Sequence, residues 1–220
     1  TRPLKAFILV GKKSQEMFFE IKGDYVMIRV GDIIPNVKTM HKDSAATNWY
    51  STHELFKDKK ILLIGLPGVF LVEYAATHLK AYDFYYSKIR DLGIDEVYFT
   101  SVDNCYVQNA YYKSENLSFL KNLPDPNGDW AKSIGMLENM SKEGLGDSSH
   151  RYAMIIDNLI MKHCKYEDFT HNPMTCFQVS DADTMIKYLE IIQTNYERFN
   201  DDARDKVDVL GRNKISTVLS

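Results

Sequence analysis

The run KILLIGL over residues 60–66 is nearly continuous in apolar residues, and DEVYFTSV over residues 95–102 predicts a second buried strand. Short runs of this kind are typical of strands that are buried on both faces of a sheet. Between them, residues 73–92 repeat apolar side chains every three or four positions, which predicts an amphipathic helix that ends at Gly93. The pattern therefore predicts a strand, a helix and a second strand at the centre of the fold.

The alternation of helix and strand patterns continues toward the C-terminus. Residues 104–116 predict a helix, and residues 120–136 predict a strand, a Pro-Gly turn and a short helix. Residues 151–166 predict two strands joined by an Asp-Asn turn, and residues 180–199 predict a capped helix. Strands that alternate with helices in this way predict an α/β fold with a central mixed sheet flanked by helices.

The N-terminal region is predicted to add further strands. Residues 4–10 and 17–21 are short apolar runs around a polar turn, which predicts a hairpin, and residues 25–30 predict another strand. The expected parts of the chain are an N-terminal hairpin extension (1–26), a main domain (27–189) and a C-terminal helix or tail (190–220).

Composition and charge narrow the classes of function. The chain has 220 residues, 45% of them hydrophobic, which suits a globular fold with a sizeable core. The net charge of −3 gives no electrostatic basis for binding nucleic acid. No apolar run approaches the ~20 residues that a membrane helix needs. We therefore expect neither a nucleic-acid partner nor insertion into a membrane.

The cysteine pattern weighs against a disulfide framework and against a metal site. The three cysteines, Cys105, Cys164 and Cys176, are few and odd in number. His163 and His171 lie near Cys164 and Cys176 in the sequence, but the spacing of these four residues matches no standard zinc pattern. We expect no metal and no cofactor.

The segment LIGLPGVFLVEYAATHL, residues 63–79, resembles the frame of an active site. A strand that leads through a Pro-Gly turn to a helix places backbone N–H groups and the helix dipole around the first helical turn. A cysteine there has a lowered pKa and becomes a reactive thiolate. In this chain, the turn instead offers Leu71, Val72, Glu73 and Tyr74.

Several motifs between residues 27 and 189 identify the family that the chain resembles. They are RVGDIIP (29–35), THELFKDKKILLIGLPGVF (52–70), THL (77–79), SVDNCYVQNAY (101–111), DPNGDW (125–130) and RYAMIIDN (151–158). With their order preserved, these motifs resemble those of the atypical five-type peroxiredoxins, and within them the apicomplexan plastid type. The resemblance implies a thioredoxin-like fold, to which the N-terminal hairpin would be an addition.

The same resemblance indicates which residues occupy the family's active-site positions. The family loop reads P-G-A-F-T-P-x-C, in which the threonine orients peroxide and the cysteine attacks the O–O bond to become a sulfenic acid. Pro67 matches the loop proline and Arg151 matches the family's active-site arginine. Leu71 stands at the threonine position, and Tyr74 stands at the cysteine position.

These two exchanges predict the loss of the peroxidase step. A phenol has a pKa of ~10 and lacks the reversible oxidation states of sulfur. Leu71 cannot donate or accept the hydrogen bond that the threonine provides. We expect no catalytic residue at these positions, and the first hypothesis is a catalytically degenerate relative with a binding or scaffolding role.

Two other functions stay open. Cys105 or Cys176 could support a weak thiol-dependent peroxidase or oxidoreductase, since Cys105 starts a predicted helix and Cys176 lies near where some relatives place a resolving cysteine. Arg151 could bind a small anion, with a structural ion pair to Glu73 as the plain alternative.

The resemblance also bears on partners and location. Members of the family often dimerise through the face around the active-site loop, which implies a homodimer. An unidentified protein partner would fit a scaffolding role. Resemblance to the plastid type implies an organelle lumen, the apicoplast, or else the cytoplasm.

Overall fold

The computed structural model describes residues 27–42, 46–71, 73–167 and 179–199, with residues 73–76 described by their backbone alone. The strands are β1 (Lys38–Lys42), β2 (Thr47–Ser51), β3 (Lys60–Gly65), β4 (Glu96–Ser101), β5 (Lys121–Pro124), β6 (Leu137–Met140), β7 (Gly146–Ser149), β8 (Tyr152–Asp157) and β9 (Ile160–Tyr166). The helices are α1 (Thr52–Phe56), α2 (Glu73–Phe84), α3 (Tyr86–Asp91), α4 (Cys105–Ser114), α5 (Asp129–Ser133) and α6 (residues 182–199).

The central sheet has the strand order β5-β4-β3-β8-β9. β3, β4 and β5 run parallel, whereas β8 is antiparallel to β3 and to β9. The turn between β8 and β9 has positive φ at Asn158 (44°) and Leu159 (69°), a geometry that matches the twist of a tight hairpin. The predicted mixed sheet and the hairpin over residues 151–166 are confirmed, but the turn lies at Asn158-Leu159, one residue later than the predicted Asp-Asn turn, because Asp157 still pairs with Ile160.

Side chains alternate along β3 between two separate cores. Leu62 and Ile64 pack on the face covered by α2, α3 and α6, where Met185 is one of the buried residues. Ile61 and Leu63 pack on the opposite face, with Phe56 of α1 and Trp130 of α5. Because both faces are covered by helices, the strand has no polar side, and this explains its continuous apolar sequence.

The helix predicted over residues 73–92 is divided into α2 and α3. Tyr85, with φ −86° and ψ 10°, separates them, although its N–H still donates to the carbonyl oxygen of Ala81. Gly93 follows with a φ of +86°, the left-handed conformation expected of a glycine that ends a helix. No helix in the described part of the chain is long and apolar enough to cross a bilayer.

Other predictions fail or fall outside the described residues. Residues 27–30, predicted as a strand, form a loop in which the Ile28 N–H donates to the Ile134 carbonyl oxygen. The hairpin predicted over residues 4–21 and the tail beyond residue 199 lie outside the described residues. Two small antiparallel hairpins, β1–β2 and β6–β7, were not predicted, because their strands are too polar to show an apolar alternation.

Candidate functional site

The loop from Pro67 to Leu71, here called the site loop, leaves the C-terminal end of β3. Its shape is fixed by a hydrogen bond from the Val69 N–H to the Asp103 carboxylate (3.0 Å), which belongs to the turn between β4 and α4. A Cβ atom at Gly68 would lie 2.8 Å from a methyl carbon of Leu71. Glycine at this position therefore lets the Leu71 side chain close down on the loop.

The positions that the resemblance singled out meet at this end of the sheet. Pro67 is buried and Leu71 is half-buried. Tyr74 lies in the first turn of α2, the position that follows from the sequence, while its side chain lies outside the description. Arg151 immediately precedes β8, and because Tyr152 is paired with Gly65, the arginine lies beside the start of the site loop. Its side chain is 1% exposed.

His78 of α2 shares this buried region with Arg151. Burial, and after it the positive charge of Arg151, lowers the pKa of His78 to about 3. His78 is therefore a neutral imidazole near pH 7, and it is 3% exposed. The centroid of its ring lies 5.3 Å from that of Tyr82, one turn later on α2.

A second set of polar contacts ties the start of α6 to the same region. The Glu167 N–H donates to the Arg151 carbonyl oxygen (2.9 Å), and the Glu167 carboxylate accepts from the N–H (2.8 Å) and hydroxyl (2.7 Å) of Ser180. The Tyr82 hydroxyl donates to the Ser180 carbonyl oxygen (2.6 Å). Sequence reasoning missed Glu167, because a lone acidic residue in a polar segment gives no signal that it is buried.

The described cysteines occupy different places. Cys105 is the first residue of α4, behind the N-cap Asn104, and is 1% exposed. Cys164 lies on β9 opposite Met154, and it packs on the sheet face away from α2. Burial raises the pKa of the Cys164 thiol to about 12, so it is protonated near pH 7. Cys176 lies outside the described residues, as do His171 and the side chain of Glu73, the suggested partner of Arg151.

The described side chains at the site provide a buried cation and a neutral imidazole beside a helix start. Such a combination can hold an anion, because guanidinium and backbone N–H groups are good donors to negative groups. Among the described residues, no three His, Cys, Asp or Glu side chains are arranged to hold a metal ion.

Comparisons with known proteins agree with this architecture. The family model described as Redoxin matches residues 29–186. A hybrid peroxiredoxin of Haemophilus influenzae is 37% identical over 142 residues, which cover 63% of this chain and 57% of that protein. A peroxiredoxin of Synechocystis is 35% identical over 142 residues, covering 64% of this chain and 75% of that protein. The match thus spans less than two thirds of the Haemophilus relative.

Comparison with solved structures also finds peroxiredoxins. The antioxidant protein of Plasmodium falciparum, a 1-Cys peroxiredoxin, has a TM-score of 0.69 and 30% identity, covering 74% of this chain and 99% of that one. Reduced Prx3 of Vibrio vulnificus in complex with hydrogen peroxide has a TM-score of 0.68 and 29% identity, covering 74% and 97%. The predicted thioredoxin-like fold is confirmed. The chain therefore belongs to the redoxin family, and its relatives in that family are peroxiredoxins.

Proposed function

We propose that this chain is a catalytically degenerate member of the redoxin family that acts in binding or scaffolding. One observation carries the proposal. Tyr74 lies in the first turn of α2, and by the resemblance of the loop motif it stands where peroxiredoxins have their reactive cysteine. Pro67 in the loop and Arg151 beside the end of β3 lie near this helix start, which supports the proposal.

Without a sulfur atom at the Tyr74 position, the peroxidase step cannot take place there. In the peroxidase step, a thiolate attacks one peroxide oxygen, an S–O bond forms, the O–O bond breaks, and the second oxygen leaves with a proton as water. A second thiol condenses with the resulting sulfenic acid to form a disulfide and water, and a third thiol reduces that disulfide to restore the first thiol. The Tyr74 phenol cannot form such a species, and the aliphatic Leu71 offers peroxide no hydrogen bond.

Neither of the two described cysteines is suited to replace the reactive thiol. Cys164 is on the other face of the sheet from α2 and is held protonated by burial. Cys105 is shielded from solvent, whereas a thiol that reacts with peroxide needs to be accessible. Both observations support the proposal that the described cysteines are packing residues.

The site loop also presents an aromatic side chain to solvent. Phe70 is 60% exposed and contacts Tyr111 edge-on, with ring centroids 5.3 Å apart. An exposed aromatic beside a fixed loop is a suitable anchor for a protein partner. It supports the proposal of a homodimer, or of contact with another protein, through this face.

A peroxide-consumption assay tests the loss of catalysis. The purified protein, mixed with hydrogen peroxide and dithiothreitol, is expected to remove peroxide no faster than buffer containing dithiothreitol. The variants Cys105→Ser and Cys176→Ser are expected to behave identically. A rate clearly above buffer that one of these substitutions abolishes would refute the proposal.

A thiol-dependent oxidoreductase is the second candidate, and one contact favours it. Asp103 of the β4–α4 turn, which accepts a hydrogen bond from the site loop, lies two residues before Cys105. Peroxide removal lost in Cys105→Ser but kept in Cys176→Ser would establish this function and identify its nucleophile.

Binding of a small anion is the third candidate. It is supported by the buried guanidinium of Arg151 next to the neutral His78. Phosphate would then raise the melting temperature of the protein, and Arg151→Lys, which keeps the charge but not the planar donor group, would reduce that increase. An equal increase in both proteins would exclude Arg151 as the binding group.

A further inference from the structure

The last nine residues of α6, 191–199, extend beyond the part of the helix that packs on the core. Met185 and Leu189, in the first part of the helix, are buried in the core beside α2 and α3. From residue 191 to residue 199, in contrast, every residue is exposed. A helical segment shorter than about 12 residues is only marginally stable in water by itself, and packing of an apolar face supplies most of the stability of helices in proteins. The exposed end of α6 therefore needs a surface to cover it.

An apolar stripe continues from the buried part of α6 onto this exposed end. Met185 and Leu189 are followed, at intervals of three, four and three residues, by Ile192, Tyr196 and Phe199. Such spacing places all five side chains along one side of the helix. The last three, here called the α6 stripe, are 38%, 67% and 72% exposed in that order. The described fold thus covers the first part of the apolar side and leaves the second part open.

Polar side chains flank the α6 stripe and bond within the helix. Gln193 Nε2 donates to the Glu197 carboxylate (3.2 Å), and the Thr194 hydroxyl donates to the Glu190 carbonyl oxygen (2.9 Å). A helix that separates apolar from polar side chains in this way is typical of one that packs its apolar side against another segment.

The α6 stripe is too small to hold two separate molecules together by itself. Two aromatic rings and one isoleucine can bury on the order of 500 Å², whereas a stable interface between separate proteins buries about 800 Å² on each partner. A segment of the same chain needs less area, because its tether gives it an effective concentration on the order of millimolar. The size of the stripe therefore favours a segment of this chain as its partner.

The N-terminal segment contains an apolar run that suits this role. Residues 4–10 read LKAFILV, and the last five of these letters form the longest uninterrupted apolar run outside the described residues. In an extended conformation, every second side chain of the run faces the same way, and on one side all of them are apolar. Seven extended residues are ~23 Å long, enough to cover the ~14 Å of the exposed helix end. The residues directly after α6, NDDARDK over 200–206, are polar and offer no such run.

The N-terminal segment is also long enough to reach the α6 stripe. It joins the described fold at Met27, and shortly afterwards the Gly31 N–H donates to the Met161 carbonyl oxygen of β9 (2.8 Å). Two residues further along β9, the His163 ring stacks on Tyr188 of α6, with centroids 3.7 Å apart. The path from Met27 along β9 to the stripe is on the order of 45 Å. The 16 residues between the run and Met27 can span ~55 Å when extended.

We propose that residues 4–10 dock on the α6 stripe of the same chain and cover it. The apolar side of the run packs on the stripe, and residues 11–26 cross the outer edge of the sheet at β9. This contact goes beyond the proposed function and does not depend on it, because it uses no residue of the site loop.

Amide hydrogen exchange in the full-length chain tests this docking. The amides of residues 195–199 are expected to be protected in the native chain. Ile8→Asp should speed their exchange at least about tenfold, since it removes the burial of one isoleucine. Ser14→Asp adds the same charge in the polar turn and should leave the exchange unchanged. Amides of β3 that stay protected show that each variant is folded. Exchange at 195–199 that is unprotected in the native chain, or equally slow in Ile8→Asp, would overturn the proposal.

The reciprocal substitutions are made on the helix. Ile192 belongs to the α6 stripe, whereas Ile191 is 60% exposed and lies about 120° away from the stripe around the helix. Ile192→Asp should change the amide chemical shifts of residues 4–10, and Ile191→Asp should leave them as they are. Equal shifts in both variants would show that the stripe is not the docking surface.

Two further measurements distinguish the N-terminal run from other partners. Protection of residues 195–199 by a segment of the same chain does not depend on protein concentration, so protection that falls on tenfold dilution would assign the contact to a second copy. Leu210→Asp places a charge in the C-terminal residues and should leave the protection unchanged. Protection lost in Leu210→Asp but kept in Ile8→Asp would assign the contact to those residues. Either result would overturn the proposal.

Discussion

The site loop and the turn around Asp125 both carry motifs typical of the family, yet they differ in what has been retained. In the Asp125 turn, residues 124–131, the Asp125 carboxylate accepts from the N–H groups of Trp130 (3.0 Å) and Ala131 (2.9 Å). The Trp130 indole N–H donates in turn to the Tyr152 hydroxyl (2.8 Å). The site loop has its hydrogen bond from the Val69 N–H to the Asp103 carboxylate, but in the proposed function its two reactive positions are occupied by Leu71 and Tyr74.

The two regions are physically connected. The Tyr152 ring lies against Gly65 at the end of β3, where any side chain larger than hydrogen would overlap it. The Asp125 turn thus fixes, through Trp130 and Tyr152, the strand end from which the site loop departs. Contacts on the far face of the sheet therefore hold the strand end from which the site loop departs. In the proposed function, the chemistry depends instead on a few side chains of the loop that can change without disturbing the fold.

The largest expected effect comes from restoring those side chains. The double substitution Leu71→Thr and Tyr74→Cys returns the hydroxyl and the thiol to a frame that still has Pro67 and Arg151. Because a missing nucleophile accounts for as much as ~10⁶ of an enzyme's rate, even partial recovery should raise peroxide removal at least about a hundredfold. The assay is hydrogen peroxide consumption with dithiothreitol.

The matched control for this gain is Leu71→Thr with Tyr74→Ser, which restores the size and polarity of the site without sulfur. It should stay at the rate of the native protein. If the cysteine variant is equally inactive while folded, the frame itself has changed, and the contrast between a retained frame and lost side chains is wrong.

A smaller effect is expected from the Asp125 turn. Asp125→Ala leaves the N–H groups of Trp130 and Ala131 buried without an acceptor, at ~1–3 kcal/mol each, so the free energy of unfolding should fall by about 3 kcal/mol at pH 5. Asp129→Ala removes an exposed carboxylate four residues away and should change it by less than about 1 kcal/mol. Urea unfolding measures both. Similar losses in the two variants would mean that the Asp125 turn does not hold the frame.

The pH dependence of the Asp125 effect has a definite sign. Burial is the main cause that raises the pKa of Asp125 from 3.8 to about 6, against the lowering effect of its two N–H donors. A folded-state pKa above the unfolded value favours the protonated acid, so this contribution to stability is full below pH 3.8 and is lost as the pH rises through 6. The loss caused by Asp125→Ala should therefore be about 1 kcal/mol smaller at pH 7.5 than at pH 5.

The elements that the sequence predicted correctly are those that bury a regular stripe or run. β3 and β4 are covered on both faces, and α6 places Met185 and Leu189 on the core, so each carries an apolar pattern. The β1–β2 and β6–β7 hairpins escaped prediction because their side chains are mostly half-exposed. Their pairing is decided by tertiary contacts, such as the hydroxyl of Thr39 on the Pro124 carbonyl oxygen.

The residues of the candidate site also fall into those that the sequence indicated and those that it did not. Pro67, Leu71 and Arg151 were predicted from motif order, since each occupies a fixed place relative to β3 and β8. The buried contacts of Glu167 were not predicted, because they form where separate segments of the chain come together. A sequence pattern reports the face on which a residue lies, but not which remote group it meets.

The smallest effect is expected at the exposed part of the site loop. Phe70→Asp places a charge where the proposed partner face has its aromatic anchor, and it should weaken self-association about tenfold, or about 1.4 kcal/mol. Phe84→Asp makes the same exchange at the far end of α2, on a side chain that is 81% exposed, and should leave self-association unchanged. Sedimentation velocity over a concentration series measures both. Neither substitution changes the backbone contacts of the site loop. If self-association weakens only in Phe70→Asp, this loop serves binding. If self-association is the same in both variants, the homodimer is removed from the proposal.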